Sequence, residues 1–168
     1  RPEDVVQEFR ALREQGASCV HLCDSEFNLP YDHAMAVSHA LAGAFGREVP
    51  WYAYAAPAPF GVELACAMAQ GGCKGVNFGA DHTDPVILHN LGRAHGKEDI
   101  RVAVDACRIA GLAVMIDTLL GGPGETPDSI EQLLDFMWEI RPDRVGLSCG
   151  VRVYPYTPLG HFVLRQGP

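Results

Sequence analysis

Short polar clusters hold most of the side chains able to do chemistry in this 168-residue chain. "DSEFN" offers Asp24, Ser25, Glu26 and Asn28, and "GADHTD" adds Asp81, His82 and Asp84. "DTLLGGPGET" contributes Asp117, Thr118 and Glu125, and "YPYTPLG" contributes Tyr154, Tyr156 and Thr157. The set is acidic and rich in glycine. It suits a ligand with a positive amino or sulfonium group, or a divalent metal. Carboxylates are also favoured as solvated groups at helix N-termini, so any one of them alone has an equally good structural reading. His82 can serve as a general base near neutral pH, although a solvated loop position is the commoner fate of such a histidine. His33, His39, His89 and His95 fall on or beside predicted helices and are expected to be solvated.

Several chemistries are disfavoured. Lys74 and Lys97 are the only lysines and neither ends a predicted strand, which argues against a Schiff-base enzyme. "GGPGET" lacks the Lys-Ser/Thr pair of a nucleotide phosphate loop. A net charge of -8 speaks against a nucleic-acid partner. No apolar run reaches the roughly 18 residues of a membrane span, so no membrane partner is expected. "RPEDVVQEFR" has neither a signal-peptide centre nor a transit-peptide bias, and a cytoplasmic location is expected.

Cysteines stand at 19, 23, 66, 73, 107 and 149, mostly inside apolar stretches. Their irregular spacing predicts buried free thiols of a reducing compartment rather than a disulfide framework. In "CVHLC", Cys19, His21 and Cys23 share one strand face and look at first like metal ligands. A site would need further ligands, and Glu26 stands where a third cysteine would fall, so core packing is expected and no metal is assigned.

The elements that must position these groups alternate along the chain. "EDVVQEFRALREQG" puts Val5, Val6, Phe9 and Leu12 on one helical face, and Gly16 suits its stop. "ASCVHLC", "VPWYAYAAP", "KGVNFG", "LAVMIDTLL" and "DRVGLSCGVRVYP" read as strands, starting near 17, 49, 75, 112 and 144. Helices are predicted over 31–45, in "FGVELACAMAQGG", and in "HTDPVILHNLG" with Thr83 or Asp84 as its cap. "KEDIRVAVDACRIAG" turns Ile100, Ala103, Val104 and Cys107 inward. A further helix starts at Thr126–Pro127, with Ile130, Leu133, Leu134 and Met137 facing the core. Near-continuous apolar strands at this spacing predict a parallel sheet covered by helices. A flat doubly wound sheet and a barrel of βα units both fit. The chain reads as one domain, 1–168, that opens on a helix with no strand before it, as if beginning partway through the domain.

The stretch from "GADHTDPVILHNLG" through "RIAGLAVMIDTLLGGPGETPDS" to "RPDRVG" and "YPYTPLG" resembles the radical S-adenosylmethionine (radical SAM) superfamily. The GxPGET turn in this position is similar to that of the methylthiotransferases and the cobalamin-dependent enzymes. "VHLCDSEFN" resembles the family's second strand and the loop after it. The resemblance implies an α/β fold of parallel βα repeats, an incomplete TIM-like (β/α)6 barrel lacking its first strand. It implies S-adenosylmethionine held against a [4Fe–4S] cluster, with cobalamin as a further cofactor of the subgroup. Reductive cleavage of the sulfonium would then start a radical modification, such as methyl or sulfur transfer.

Carried over by position, Asp24, Ser25 and Glu26 fall at the motif for the methionine amino group. Asp81 falls near the ribose or the methionyl end, and Val114, Ile116 and Leu147 would pack the adenine. "GGPGET" becomes a backbone-shaping turn, with Glu125 a structural anchor. The family's CxxxCxxC motif is not in these residues, so the segment alone is expected to be inactive, with the cluster in the full-length parent only. The edge of the "CVHLC" strand is then expected to be exposed and to invite self-association. The substrate is not specified. Two other readings stay open: a metal-dependent α/β hydrolase or lyase using Asp81, His82 and the acidic rim, and a non-catalytic scaffold.

Overall fold

The computed structural model of the chain describes residues 1–166. Its sheet has five strands: β1 (Val20–Leu22), β2 (Trp51–Ala55), β3 (Cys73–Asp81), β4 (Ala113–Leu120) and β5 (Arg144–Cys149). All neighbours pair in parallel, and their order in space is their order in sequence. That order separates the two architectures left open by the sequence. A doubly wound sheet reverses its strand order partway, whereas unreversed right-handed crossovers stack every helix on one face. The other face is left bare, and the sheet is an open arc of a βα barrel.

Alternation along the strands follows from this. In β2, Trp51, Ala53 and Ala55 are buried beneath the helices, while Tyr52 and Tyr54 are 42% and 38% exposed on the bare face. The core joins Trp51, Phe78, Val114 and Ile116 to Phe9, Leu41, Leu64, Ile100 and Leu133 from the helices. Those helices are α1 (Pro2–Glu14), α2 (Tyr31–Phe45), α3 (Val62–Gln70), α4 (Pro85–Asn90), α5 (Lys97–Ala110) and α6 (Pro127–Ile140). Asp84 rather than Thr83 caps α4, accepting from the N–H groups of Val86 and Ile87 at 2.8 and 3.2 Å. Thr126 caps α6 by accepting from Ser129 N–H. Gly72 is required at the α3–β3 corner. Its φ is +95°, and a β-carbon there would stand 2.5 Å from the Val49 carbonyl oxygen.

Some expectations are corrected. β1 is three residues long, because Cys19 and Cys23 lie beyond its pairing with β2. β5 stops at Cys149, where Gly150 adopts φ 97° and turns the chain. A further helix, α7 (Pro158–Gln166), follows "YPYT", started by Thr157, whose Oγ1 accepts from Gly160 N–H. Its signal was the Thr-Pro pair, the same one that opens α6. In α6, Phe136 takes the core place expected of Leu134, which is partly exposed.

The cysteines are free, as expected, but only Cys73 and Cys107 are buried. Cys19, Cys23 and Cys149 are exposed, so they do not pack into the core. Burial pushes the Cys73 thiol up to about 12 and raises Cys107 as well. A thiol reagent added to the folded protein is therefore expected to modify Cys19, Cys23 and Cys149. Cys73 and Cys107 should react only on unfolding, which mass mapping of the modified sites would check.

Candidate functional site

Three loops at the carboxyl ends of β1, β3 and β4 build the rim, where parallel βα architectures place their ligands. The β1–α2 loop is tied down by Asn28, which the sequence had offered as a chemical group. Asn28 is buried, its Nδ2 donating to the carbonyls of Ala56 and Pro59 at 3.0 and 2.8 Å. Its Oδ1 accepts from Ala56 N–H at 2.8 Å. All its polar atoms serve the backbone, so Asn28 fixes the loop that carries Glu26.

Glu26 and Asp81 come together through a residue that sequence reasoning missed. Arg93, from the loop after α4, ion-pairs with Asp81 through Nε and with Glu26 through Nη1, the latter at 3.4 Å. One guanidinium thus sits between two carboxylates from different loops, leaving the cluster with a net negative charge. Its Nη2 donates to neither. The signal in the sequence was a lone arginine in "LGRAH", which carries no periodicity. Asp24 and Ser25 are exposed in the Glu26 loop.

The "GGPGE" turn is shaped by its own backbone and by α4. Gly121 and Gly124 adopt φ values of 94° and 92°. Asn90 Nδ2 donates to the Pro123 carbonyl at 2.9 Å, and Glu125 Oε1 accepts from Gly121 N–H at 2.8 Å. Glu125 has the geometry of an anchor.

His82 is 0% exposed, which corrects the solvated loop position expected for it. His95 is likewise buried, its Nε2 3.0 Å from the Ala80 carbonyl oxygen. Burial lowers the pKa of His82 below the ordinary 6.5, and the nearby charges of Glu125 and Asp84 oppose that shift only in part. The neutral imidazole is therefore the folded form. Below about pH 6.5 the unfolded chain binds a proton that the folded chain refuses, so stability should decline with falling pH until the folded value is passed. Thermal melts between about pH 8 and about pH 5 should show this slope, and it should flatten in His82→Gln.

The bare face of the sheet adds a second group of residues. A cleft of about 600 Å³ is lined there by His21, Tyr52, Tyr54, Asn77, Asp117 and Arg144. The His21 ring stacks on Tyr54 with centroids 4.7 Å apart, so the "CVHLC" histidine faces the cleft rather than the core. Asn77 Nδ2 donates to Asp117 at 2.8 Å, and Asn77 Oδ1 is buried without a partner among the described residues. Gly146 leaves room for Asp117, because a β-carbon there would fall on Asp117 Oδ1 and make that side chain shift. A smaller hollow of about 530 Å³ lies at the rim beside Asp81, Arg93 and Tyr154. The larger cleft offers aromatic surface, while the charged groups converge at the rim.

Of the residues expected to pack the adenine, Ile116 is buried under the helices and Leu147, 53% exposed, pairs with Thr118 on that same outer face, while Val114 is buried but also lines the cleft. The period of two along a strand puts Met115, Asp117 and Gly146 on the cleft instead. Thr118 is buried as well, donating to the Gly146 carbonyl.

This arrangement has close counterparts among known proteins. Residues 1–137 match the family described as the Radical SAM superfamily. Tryptophan 2-C-methyltransferase from Streptomyces laurentii is 34% identical over 175 residues, covering 96% of this chain and 29% of that protein. The ribosomal protein uS12 methylthiotransferase RimO of Heliobacterium modesticaldum is 37% identical over 98 residues, 56% of this chain and 21% of that one. The radical S-adenosylmethionine methyltransferase TsrM from Kitasatospora setae, solved with cobalamin and a [4Fe–4S] cluster bound, superposes with a TM-score of 0.91 at 32% identity. That match covers 99% of this chain and 34% of TsrM. The chain thus spans about a third of the length of such relatives. Its match over most of its length, together with the shared fold, establishes that this chain belongs to the radical SAM superfamily.

Proposed function

We propose that the rim, with the bare sheet face that runs back from it, binds S-adenosylmethionine, and that the whole protein uses it in a radical SAM methyl transfer. The observation that carries this reading is Arg93 held between Glu26 and Asp81 at the carboxyl end of an open βα barrel. Two carboxylates and a guanidinium with a free edge can meet both the ammonium and the carboxylate of an amino-acid head group. The exposed Asp24 and Ser25 stand in the same loop for that head group. Asp117 and the unpartnered Asn77 Oδ1 supply acceptors for hydroxyl or amino hydrogens deeper in the cleft. Tyr52, Tyr54 and His21 offer aromatic surface to a planar group. Bound S-adenosylmethionine would supply a sulfonium whose carbon–sulfur bond is broken in the reaction. The chain's own residues hold and orient it.

The donor set does not fit an iron–sulfur cluster. No group of three or more His, Cys, Asp or Glu among the described residues is placed to hold a metal. No step is therefore routed through a cluster on these residues, and none of them is assigned to cobalamin. Methyl transfer is favoured over sulfur transfer because the methyltransferase relatives align along 96–99% of the chain, whereas RimO proteins align along 56% of it in H. modesticaldum and 86% in Chlorobium phaeovibrioides. TsrM was also solved with tryptophan and a SAM analogue bound, which supports a small aromatic substrate for the cleft. β1 through β5 are assigned as the second to sixth strands of such a barrel. The hydrolase reading loses its base, since His82 is buried between Glu125 and the backbone. Self-association through β1 would rest on an edge of three residues, which offers few unpaired groups.

Equilibrium dialysis of the protein against labelled S-adenosylmethionine tests the proposal. Saturable binding that S-adenosylhomocysteine competes away, and that ATP does not, is the expected result. No saturable binding would end the reading.

A further inference from the structure

His82 is buried, and Glu125 turns a buried Oε2 toward it; ligand contact at the rim gives no reason for either. His82 Nδ1 accepts from the backbone N–H of Asp84 at 2.9 Å, which leaves the proton of the neutral ring on Nε2. Nε2 faces Glu125 Oε2 at 3.9 Å, and neither atom has a hydrogen-bond partner among the described residues. The other oxygen of Glu125 closes the "GGPGE" turn through Gly121. One pair of side chains therefore joins the turn after β3 to the turn after β4.

The residue just before His82 is Asp81, whose φ is 56°. It stands at the centre of a three-residue turn closed by the His82 N–H donating to the Ala80 carbonyl at 2.7 Å. Such a turn is strained for a residue with a β-carbon, and it persists only where the surroundings hold it. Arg93 holds the side chain of Asp81 from one side. His82, sunk into the protein against Glu125, holds the backbone from the other.

We infer that His82 and Glu125 form a latch that sets the Asp81 turn, and thereby aims the Asp81–Arg93 pair at the ligand. Both are positioning residues: His82 is fully buried, and both Glu125 oxygens face the protein, Oε1 on Gly121 N–H and Oε2 toward His82. The inference rests on the rim being the S-adenosylmethionine site. It requires His82 for two separate contacts, and amide side chains separate them. Asn at 82 keeps a short acceptor for the Asp84 N–H and falls short of Glu125. Gln at 82 extends an amide N–H toward Glu125.

Calorimetry with S-adenosylhomocysteine, which cannot react, tests this on the full protein. The wild type should bind, His82→Asn should bind about 10-fold more weakly, and His82→Gln should recover to within about 3-fold of wild type. A parallel measurement needs no variant. The ring ¹⁵N signals of His82 should report the Nε2–H tautomer and should shift when S-adenosylhomocysteine is added. Wild-type binding with both variants equal to it, or with an unmoved His82 signal, would overturn the latch and leave the rim site standing. Failure of the wild type to bind would remove the rim site, and the latch with it.

Discussion

Asn28→Ala is expected to lower folding stability by roughly 3 kcal/mol, although the residue sits in a loop. Its amide satisfies two carbonyls and one N–H of the β2–α3 connection, with no exposed atom of its own. Alanine would abandon all three groups, and a buried polar group left unpaired costs about 1–3 kcal/mol. Water entering the space left by the amide would recover part of the sum. The remainder is still a large fraction of the roughly 5–15 kcal/mol that keeps a domain folded. Asn28→Asp should be no milder, since it loses both donated bonds and adds a buried charge. Chemical denaturation would measure the loss. A loss under about 1 kcal/mol would mean the loop backbone finds water easily, and that Asn28 does not fix the position of Glu26.

Arg93→Met is expected to weaken S-adenosylmethionine binding about 100-fold while leaving the melting behaviour nearly unchanged. The arginine is about one-third exposed, so its ion pairs add little to stability in solvent-screened surroundings. Its effect on binding is larger for two reasons. Glu26 and Asp81 come from different loops, and without the guanidinium their like charges push the loops apart. The ligand carboxylate also loses a charge-assisted partner, a contact of about 1.5–3 kcal/mol. Arg93→Lys should recover only part of the loss, because one ammonium cannot span two carboxylates and a ligand in the fork geometry of arginine. Dialysis against labelled S-adenosylmethionine would check the series. Equal affinity across Met, Lys and Arg would show that the rim does not hold the amino-acid end.

Much of the architecture was legible before any coordinates. The 3.6-residue period located Ile100, Ala103, Val104 and Cys107, all buried in α5 as expected. Thr-Pro and Asp-Pro pairs marked the starts of α6 and α4, because a cap and a first-turn proline act locally. The "GGPGET" turn and its glutamate anchor were readable for the same reason: the turn closes on itself within five residues. Glu26 and Asp81 were readable as rim residues through their place after strands, and the structure brings them together around Arg93.

What was not legible involves contacts between segments far apart in sequence, or the choice of strand face. Local periodicity could say that β4 alternates, but its apolar residues fall on both faces, which left open which set faced the helices. Ile116 is buried under the helices, whereas Met115 and Asp117 line the cleft and Val114 borders both. Arg93 could not be linked to Glu26, 67 residues away, by any pattern along the chain. Nor could the burial of His82 against Glu125 be read from a loop composed of polar residues. The sequence by itself determined the succession of strands and helices, their caps and turns, and the family resemblance, because short-range hydrogen bonding and periodicity encode them. Which strand face is bare, and which charges meet at the rim, depend instead on how distant segments are brought side by side in the sheet.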